Sequence, residues 1–577
     1  METKRVRQGR ERGRWFFGLA GAILAGSPLS AAATVPDALP PETTEWSETM
    51  GPSADRILRE RSQPLLGDPG ALLRAAHKAV ERRDRSHAIW LLEQLIQRHP
   101  VVADYGALLQ AGWLHEEGHA DRAVRVAGRA LARHPNTPVA AQLYELKGNV
   151  LSSRGSREEA HAAWGLALDH SRDEELGVRV LMAIAASQER VGLDEEAAAR
   201  YAEIWSAHPT TPEAPIAAHR LELLAELLGR PLLAGTDWRR RGDRLYRKRR
   251  NVEALETYDR ATELGVSSSE ARAIARQRAR LLFRLRRYPE AAEAFAGLPL
   301  RDDVPIWHAR SLARADRVPE AIAAFESLAV HGRGDLPARA RFLAATLLEG
   351  RGFQERARAH YQQLAEGQRH SELVDAALWR LGWLAYRERD HEAAVRHFDR
   401  LIQSKEADEA GQLRPRYWRA RALEQLGQDG AEEELVRIAR GFPLSYYGWR
   451  AQNRLGTAPE MLPAAGETLR EGRSGLGPDA LARPLILLEA GMLPEARAEV
   501  ERLAKRARSL TDRLKLAQIA TDAGDYHRAQ QLVTDAYSDR LDRGPIKRFE
   551  ELWWFAWPPA FSLEVSEATR LDRKSTR

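Results

Sequence analysis

Acid–base, nucleophilic and metal chemistry all require reactive groups to be brought together, and close spacing in the chain is one route to that. The sequence has 17 histidines, but none forms HExxH or another compact ligand set. His391 and His397 stand six residues apart, which does not place them on one helix face. No GxxxxGK[ST] phosphate loop, GxSxG elbow or serine–histidine–aspartate arrangement stands out. The acidic pairs Glu158-Glu159 and Glu195-Glu196 fall in first turns of helical segments, where the helix dipole favours negative charge. With no cysteine in the sequence, a disulfide framework, a thiolate metal site and a lipobox cysteine are all excluded. No catalytic, cofactor-binding or metal-ligating residue is assigned.

Two other kinds of stretch stand out, one a candidate for binding and one for packing. Asp237 to Arg250, DWRRRGDRLYRKRR, holds eight basic residues against two acidic ones. A solvated helix face is the favoured reading; the functional one is a patch facing an anionic polymer. Its Arg/Tyr/Trp interleaving would also suit single-stranded nucleic acid, which export from the cytoplasm would exclude. Aromatic residues form the second kind. Trp379, Trp383 and Tyr386, with Gly382 between them, have the three- and four-residue spacing of a packed helix face. Tyr417 to Gly456, YWRARALEQLGQDGAEEELVRIARGFPLSYYGWRAQNRLG, reads as a helix pair and an aromatic elbow. Phe442-Pro443 breaks the helical pattern, Ser445 caps a new helix, and Gly456 ends it.

The elements that would position these residues recur along the chain. Alanine is followed four residues later by a larger side chain at Ala88/Leu92, Ala160/Trp164, Ala197/Tyr201, Ala254/Tyr258, Ala291/Phe295, Ala321/Phe325, Ala357/Tyr361 and Ala394/Phe398, with Ala123/Ala127 as the weak case. Successive starts lie 35, 37, 37, 57, 37, 30, 36 and 37 residues apart. The small residue admits a neighbouring helix and the large one fills the space beside it. Turns precede that helix at Gly118, Gly155, Gly192 and Gly352, and new helices start at Thr137-Pro138 and Thr211-Pro212. Such spacing marks a helix-turn-helix solenoid whose stacked pairs share one core. Arg-, Ala-, Leu- and Glu-rich composition agrees with an all-α protein.

The first 33 residues pair a basic region (Lys4 to Arg14) with an apolar run (Trp15 to Gly26) and end at Ala31-Ala32-Ala33, the proportions of a signal peptide. The run is too short for a stable membrane anchor, since spanning takes ~20 apolar residues. Six basic and two acidic residues there account for +4 of the net +6, leaving +2 for the rest. The sequence pI of 9.4 is therefore weak support for nucleic-acid binding. Residues 34–70 read as an irregular lead-in, 71–456 as the repeat domain, 457–550 as a linker domain with helix pairs at Ala496/Val500 and Ala529/Val533, and 551–577 as a junction. Thr457 to Gly477 is Gly/Pro-rich.

The Tyr417–Gly456 stretch resembles the end of the superhelical domain of soluble lytic murein transglycosylases, with the pattern YWxARAL, a turn, an acidic helix, then PxSYYGxxAxxRLG. AALWRLGWLAYRERDHEAAVRHFDRLI resembles the same superhelix, and LWWFAWPPAF, Leu552 to Phe561, resembles its junction into the catalytic domain. The resemblance implies a periplasmic protein with a right-handed, tetratricopeptide-like α-superhelix closed into a ring. Such a ring would hold peptidoglycan glycan strands and position a domain that cleaves the MurNAc–GlcNAc β-1,4 bond to an anhydro product. Cell-wall enzymes or scaffold proteins are the further partners implied. The family's acid lies in a Glu-Ser pair followed by a conserved stretch. Here Glu326-Ser327, in AFESLA, has no such continuation and is not assigned as catalytic. The expectation is a piece of a longer protein, inactive by itself. A non-enzymatic periplasmic repeat scaffold is the alternative.

Overall fold

The computed structural model describes residues 67–366, 371–404, 409–456, 474–543, 550–558 and 566–570, all within one compact unit of residues 61–577. The expected signal peptide, the lead-in as far as residue 66, residues 457–473 and the terminal DRKSTR lie outside the described residues. Among the described residues the regular elements are helices, from Pro69–Glu81 to Glu550–Ala556. Most helices pack against the next, as antiparallel pairs joined by short turns do; helix Gly235–Arg247 instead packs against Asp194–Ala207. The fold is the all-α superhelix of tetratricopeptide-like pairs that the repeat implied. Its first described helix starts inside the expected lead-in, because Asp68 Oδ1 accepts from the Gly70 and Ala71 amides at 2.9 and 3.1 Å. Regular helix after Thr137-Pro138 and Thr211-Pro212 begins at Ala140 and Glu213.

Fixed positions define each pair. The pair Glu372–Arg387 and His391–Gln403 shows them. Phe398 packs directly on Gly382, where an added Cβ would stand 2.5 Å from the ring. Gly148 lies in the same way under Trp164, and Gly242 under Tyr258. Ala76, Ala111, Ala185, Ala279, Ala309 and Ala345 occupy the equivalent position, sixteen residues before the second large residue, and are fully buried. A side chain larger than methyl there would overpack the pair.

The turn between the two helices needs a left-handed residue five positions before the repeat alanine. Gly118, Gly155, Gly192 and Gly352 supply it at φ +76 to +83°, whereas Arg83, Arg249, Arg286, Asp316 and Arg389 supply it at φ +61 to +67°. A residue with a Cβ loses about 1–2 kcal/mol in this conformation. Gly491 and Gly524, at φ +79° and +72°, precede Ala496 and Ala529 by the same interval. The helix pairs near the C-terminus thus repeat the turn of the earlier ones.

Adjacent pairs are tied by a buried tyrosine, a carboxylate and an arginine. Tyr201 Oη donates to Glu189 at 3.0 Å, and Glu189 also accepts from Arg220 of the following helix. Tyr361, Glu349 and Arg380 repeat this arrangement. Burial, then the Glu189 carboxylate, pushes the Tyr201 hydroxyl up to about 12.

The run of helices returns to its own start. Leu487, Ala490, Met492 and Ala496 share a core with Leu72, Leu73, Leu92 and Tyr105. Across that contact Arg483 reaches Asp104 at 2.7 Å, Glu499 at 2.9 Å and the Val101 carbonyl at 2.8 Å. Arg74 donates to the Glu489 carbonyl. Beyond it, Leu552, Trp553 and Phe555 enter the core of 476–541, and Trp553 Nε1 donates to the Leu541 carbonyl at 3.0 Å.

Candidate functional site

The aromatic elbow is built by its caps. Ser445 Oγ accepts from the Gly448 amide and donates to the Phe442 carbonyl, both at 2.9 Å, which starts helix Tyr446–Leu455. Gly448 lies so close to the Phe442 carbonyl that a Cβ would stand 1.8 Å from its oxygen. Gly456, at φ +66°, ends the helix. The Ser445 and Gly456 roles expected from the sequence are those observed. The elbow leaves Tyr446 and Trp449 turned to solvent, 60% and 57% exposed.

These two rings end a longer chain of aromatics. Trp379, Trp383 and Tyr386 stack along one helix, with successive centroids 6.1 Å apart and planes 12° and 9° from parallel. Trp418 meets Trp383 and Tyr386 edge-on at 4.7 and 5.1 Å. Tyr417 joins Trp418 to Tyr447 at 5.6 Å each. Tyr447 adjoins Tyr446 at 5.1 Å, and Tyr446 adjoins Trp449 at 6.3 Å. A continuous series of ring contacts therefore crosses helices Glu372–Arg387, Leu413–Leu426 and Tyr446–Leu455, and it passes through Tyr417, which is buried. Trp379 and Tyr386 pack against buried core residues, as their spacing implies, and Trp383 is half-buried between them. Three separate helices contribute the rings; spacing finds each helix's share but not the contacts between them.

Arginines seat themselves on these rings. The Arg414 guanidinium lies 4.0 Å from the Trp379 centroid, and burial lowers its pKa. Arg450 lies 5.1, 5.4 and 5.7 Å from Tyr417, Trp418 and Tyr446, and donates to the Tyr446 hydroxyl at 3.1 Å. Arg454 is held by Glu424 at 2.7 Å. Tyr417, Tyr446, Trp449, Arg450, Asn453 and Arg454 line an open recess of about 440 Å³. An exposed ring offers a flat apolar face, and arginine and asparagine add fixed donors, the combination that holds an amphipathic polar ligand. The C–H face of a sugar ring fits the first, and hydroxyl and acetamido oxygens fit the second.

The other sequence candidates fare differently. In the basic segment, Arg239 pairs with Glu270 at 2.9 Å, Lys248 with Glu174 at 3.0 Å and Arg250 with Glu253 at 2.5 Å. Arg241 lies 4.6 Å from the Trp205 ring and donates to that residue's carbonyl at 2.7 Å. These four of its eight cations are thus engaged within the fold. Glu326 is paired with Arg356 at 2.8 Å and His360 at 3.3 Å. His391 packs edge-on against Tyr386 at 5.2 Å. Burial, reinforced by Arg400, Arg396 and Arg358, lowers His397. Among the described residues, no helix is long and apolar enough to cross a membrane.

The tetratricopeptide repeat family model matches residues 376–404, the pair that carries the first rings of that series. No curated protein matches the chain. Among solved structures, it is similar to the 70 kDa soluble lytic transglycosylase Slt70 of Escherichia coli, at 18% identity over 83% of this chain and 72% of that one, with a TM-score of 0.44. The lytic transglycosylase Slt of Pseudomonas aeruginosa is similar at 19% identity, over 82% and 72% of the two chains, with a TM-score of 0.39. A tetratricopeptide repeat protein of Parabacteroides merdae is similar at 12% identity, over 54% and 96%, with a TM-score of 0.24.

Proposed function

We propose that this chain is the superhelical and linker portion of a periplasmic lytic murein transglycosylase. It holds peptidoglycan glycan strands and positions a domain that cleaves the MurNAc–GlcNAc β-1,4 bond to an anhydro product. Residues 71–456 form the holding domain, 457–550 the linker, and the segment from 551 the junction to catalysis. The observation that carries this reading is the open recess at the exposed rings of Tyr446 and Trp449, with Arg450 and Asn453 beside them. Its flat apolar faces and the neutral Asn453 amide suit an N-acetylated sugar strand. The sequence pattern of Tyr417–Gly456, which resembles that family, lends independent support. The chain by itself would release no anhydro-muropeptides from murein sacculi.

Co-sedimentation with purified sacculi tests the reading. The wild-type chain is expected to pellet with them, and Trp449→Ala combined with Tyr446→Ala to remain in the supernatant. Equal pelleting of both proteins would overturn the assignment of this surface. The scaffold alternative is favoured by the tetratricopeptide repeat match over 376–404. Capture of a periplasmic protein, with no retention on sacculi, would select it.

A further inference from the structure

A cationic cluster outside this surface remains unexplained. Around helix Val304–Arg314 the neighbouring arginines end on carboxylates: Arg280 on Asp303 at 2.7 Å, Arg317 on Glu320 at 2.8 Å and Arg351 on Asp316 at 2.7 Å. Arg310 does not. Its guanidinium lies 4.3 Å from the centroid of Trp307 and 5.5 Å from that of Phe283, and no described acceptor takes a hydrogen bond from it. The rings beneath it are fixed. Trp307 Nε1 donates to Asp303 Oδ2 at 2.9 Å, and Phe283 meets Trp307 edge-on at 5.1 Å. Asp303 accepts from both Trp307 and Arg280.

The surroundings add positive charge. Burial, with Arg314 and Arg339 nearby, pushes Arg310 down to about 10. Asp335, the partner of Arg339 at 3.4 Å, is 76% exposed. Of these three cations, Arg339 is the one paired with that solvated carboxylate. Stacking on two rings offsets part of the desolvation of Arg310, by about 1–2 kcal/mol. It leaves the N–H edge of the guanidinium without an acceptor, in the fork geometry that matches both oxygens of a carboxylate.

We infer that Arg310, on its floor of Trp307 and Phe283, is a binding site for a carboxylate ligand. The inference rests on the reading proposed above, in which the ligand is the stem peptide carried by a glycan strand. Its carboxylates supply the charge, while the sugars engage the separate aromatic surface at Tyr446 and Trp449. A peptide-free strand offers the same group on the lactyl arm of its muramic acid.

Calorimetric titration of the full chain separates these possibilities. The probes are the free stem tetrapeptide, the same peptide with amidated carboxylates, peptide-free glycan strands, and chitooligosaccharide, which has no carboxylate. Wild type is expected to bind tetrapeptide at least tenfold more tightly than its amidated form. Arg310→Gln should lose tenfold or more for tetrapeptide, with chitooligosaccharide unchanged. Arg310→Met, an apolar replacement over the same rings, should behave likewise, and Arg317→Gln, which removes a paired cation, should bind normally. Tighter binding of peptide-free strands than of tetrapeptide, still dependent on Arg310, would support the site with the lactyl carboxylate as its source. If wild type fails to distinguish the free from the amidated peptide, or Arg310→Gln binds carboxylates as wild type does, the inference fails. Failure of the glycan reading would show separately, as absent chitooligosaccharide binding with Arg310-dependent peptide binding retained.

Discussion

Replacing Arg483 by methionine keeps most of the side chain's length and removes the cation at the contact where the helical run meets its own start. Arg483 touches Asp104, Glu499 and the Val101 carbonyl, and its guanidinium lies 5.0 Å from the Tyr105 ring. The two carboxylates are nearly sealed from water, with side chains 2% and 0% exposed. Removing one partner of a buried ion pair costs about 3–5 kcal/mol, because the other charge stays buried. Both carboxylates keep other donors here. Thr137 and the Tyr105 amide remain on Asp104, and Arg502 and the Tyr105 hydroxyl remain on Glu499. The lower end, about 3 kcal/mol, is therefore expected, more than a hundredfold in the ratio of open to closed forms. In a stacked array each unit contacts mainly its neighbours, so the loss should fall on the closing contact rather than on every pair.

The absence of cysteine makes the assay direct. Spin labels on cysteines placed at Lys78 and Ala498, both exposed, report the distance across the contact. Wild type should give one narrow distribution and Arg483→Met a broad, longer one, with little loss of helical circular dichroism. Arg483→Lys should open the contact in part, since one ammonium cannot reproduce a fork that reaches three acceptors. An unchanged distribution in Arg483→Met would refute the assignment of closure to this residue.

Three further outcomes follow from the fold. Arg389→Gly relieves a left-handed residue with a Cβ at φ +67° and should gain about 1 kcal/mol in urea unfolding; a loss would mean that the Arg389 side chain contributes more than its backbone strain costs. Gly382→Ala forces a methyl onto Phe398 and should lose about 1–3 kcal/mol in the same measurement. Burial alone would raise the Asp512 carboxyl, but hydrogen bonds from Ser474, the Gly475 amide and Ser509 hold it below its ordinary value. A depressed folded pKa gives stability that is present above pH ~4 and lost as pH falls through the folded value; Asp512→Asn should flatten the stability profile below pH ~4, and an unchanged acid limb would remove Asp512 as its cause.

The repeat was legible because side-chain size is written in the residue type. An alanine four residues before an aromatic stands out wherever the two recur, and the interval between recurrences gives the pair length. The rest of the same geometry was less visible. A turn read through glycine alone finds Gly118 and Gly352 but passes over Arg83, Arg249 and Arg389, which hold the same backbone conformation at a steric cost. The alanine or glycine sixteen residues before the second large residue is one small residue among many, until the first helix is laid against the second. Both signals were present at constant spacing, and aligning the repeats on their alanines exposes them.

Binding surfaces resist this treatment for a reason the basic segment makes plain. Eight cations in fourteen residues suggest a free charged face when counted along the chain. In the fold, Arg239 is met by Glu270 and Lys248 by Glu174, carboxylates 31 and 74 residues away. Local charge therefore overstates what is available to a ligand. Arg310 is the opposite case: a single arginine in an unremarkable run becomes available because its neighbours have used the carboxylates around it. The same logic applies to the rings. Trp379 and Trp449 read separately as helix packing and an elbow, and a series of ring contacts through the buried Tyr417 connects them only once three helices have packed. Arg483 and Asp104, 379 residues apart, carry no pairwise signal in one sequence. Whether a side chain binds a ligand or its own fold depends on what is left unpaired after the helices have stacked.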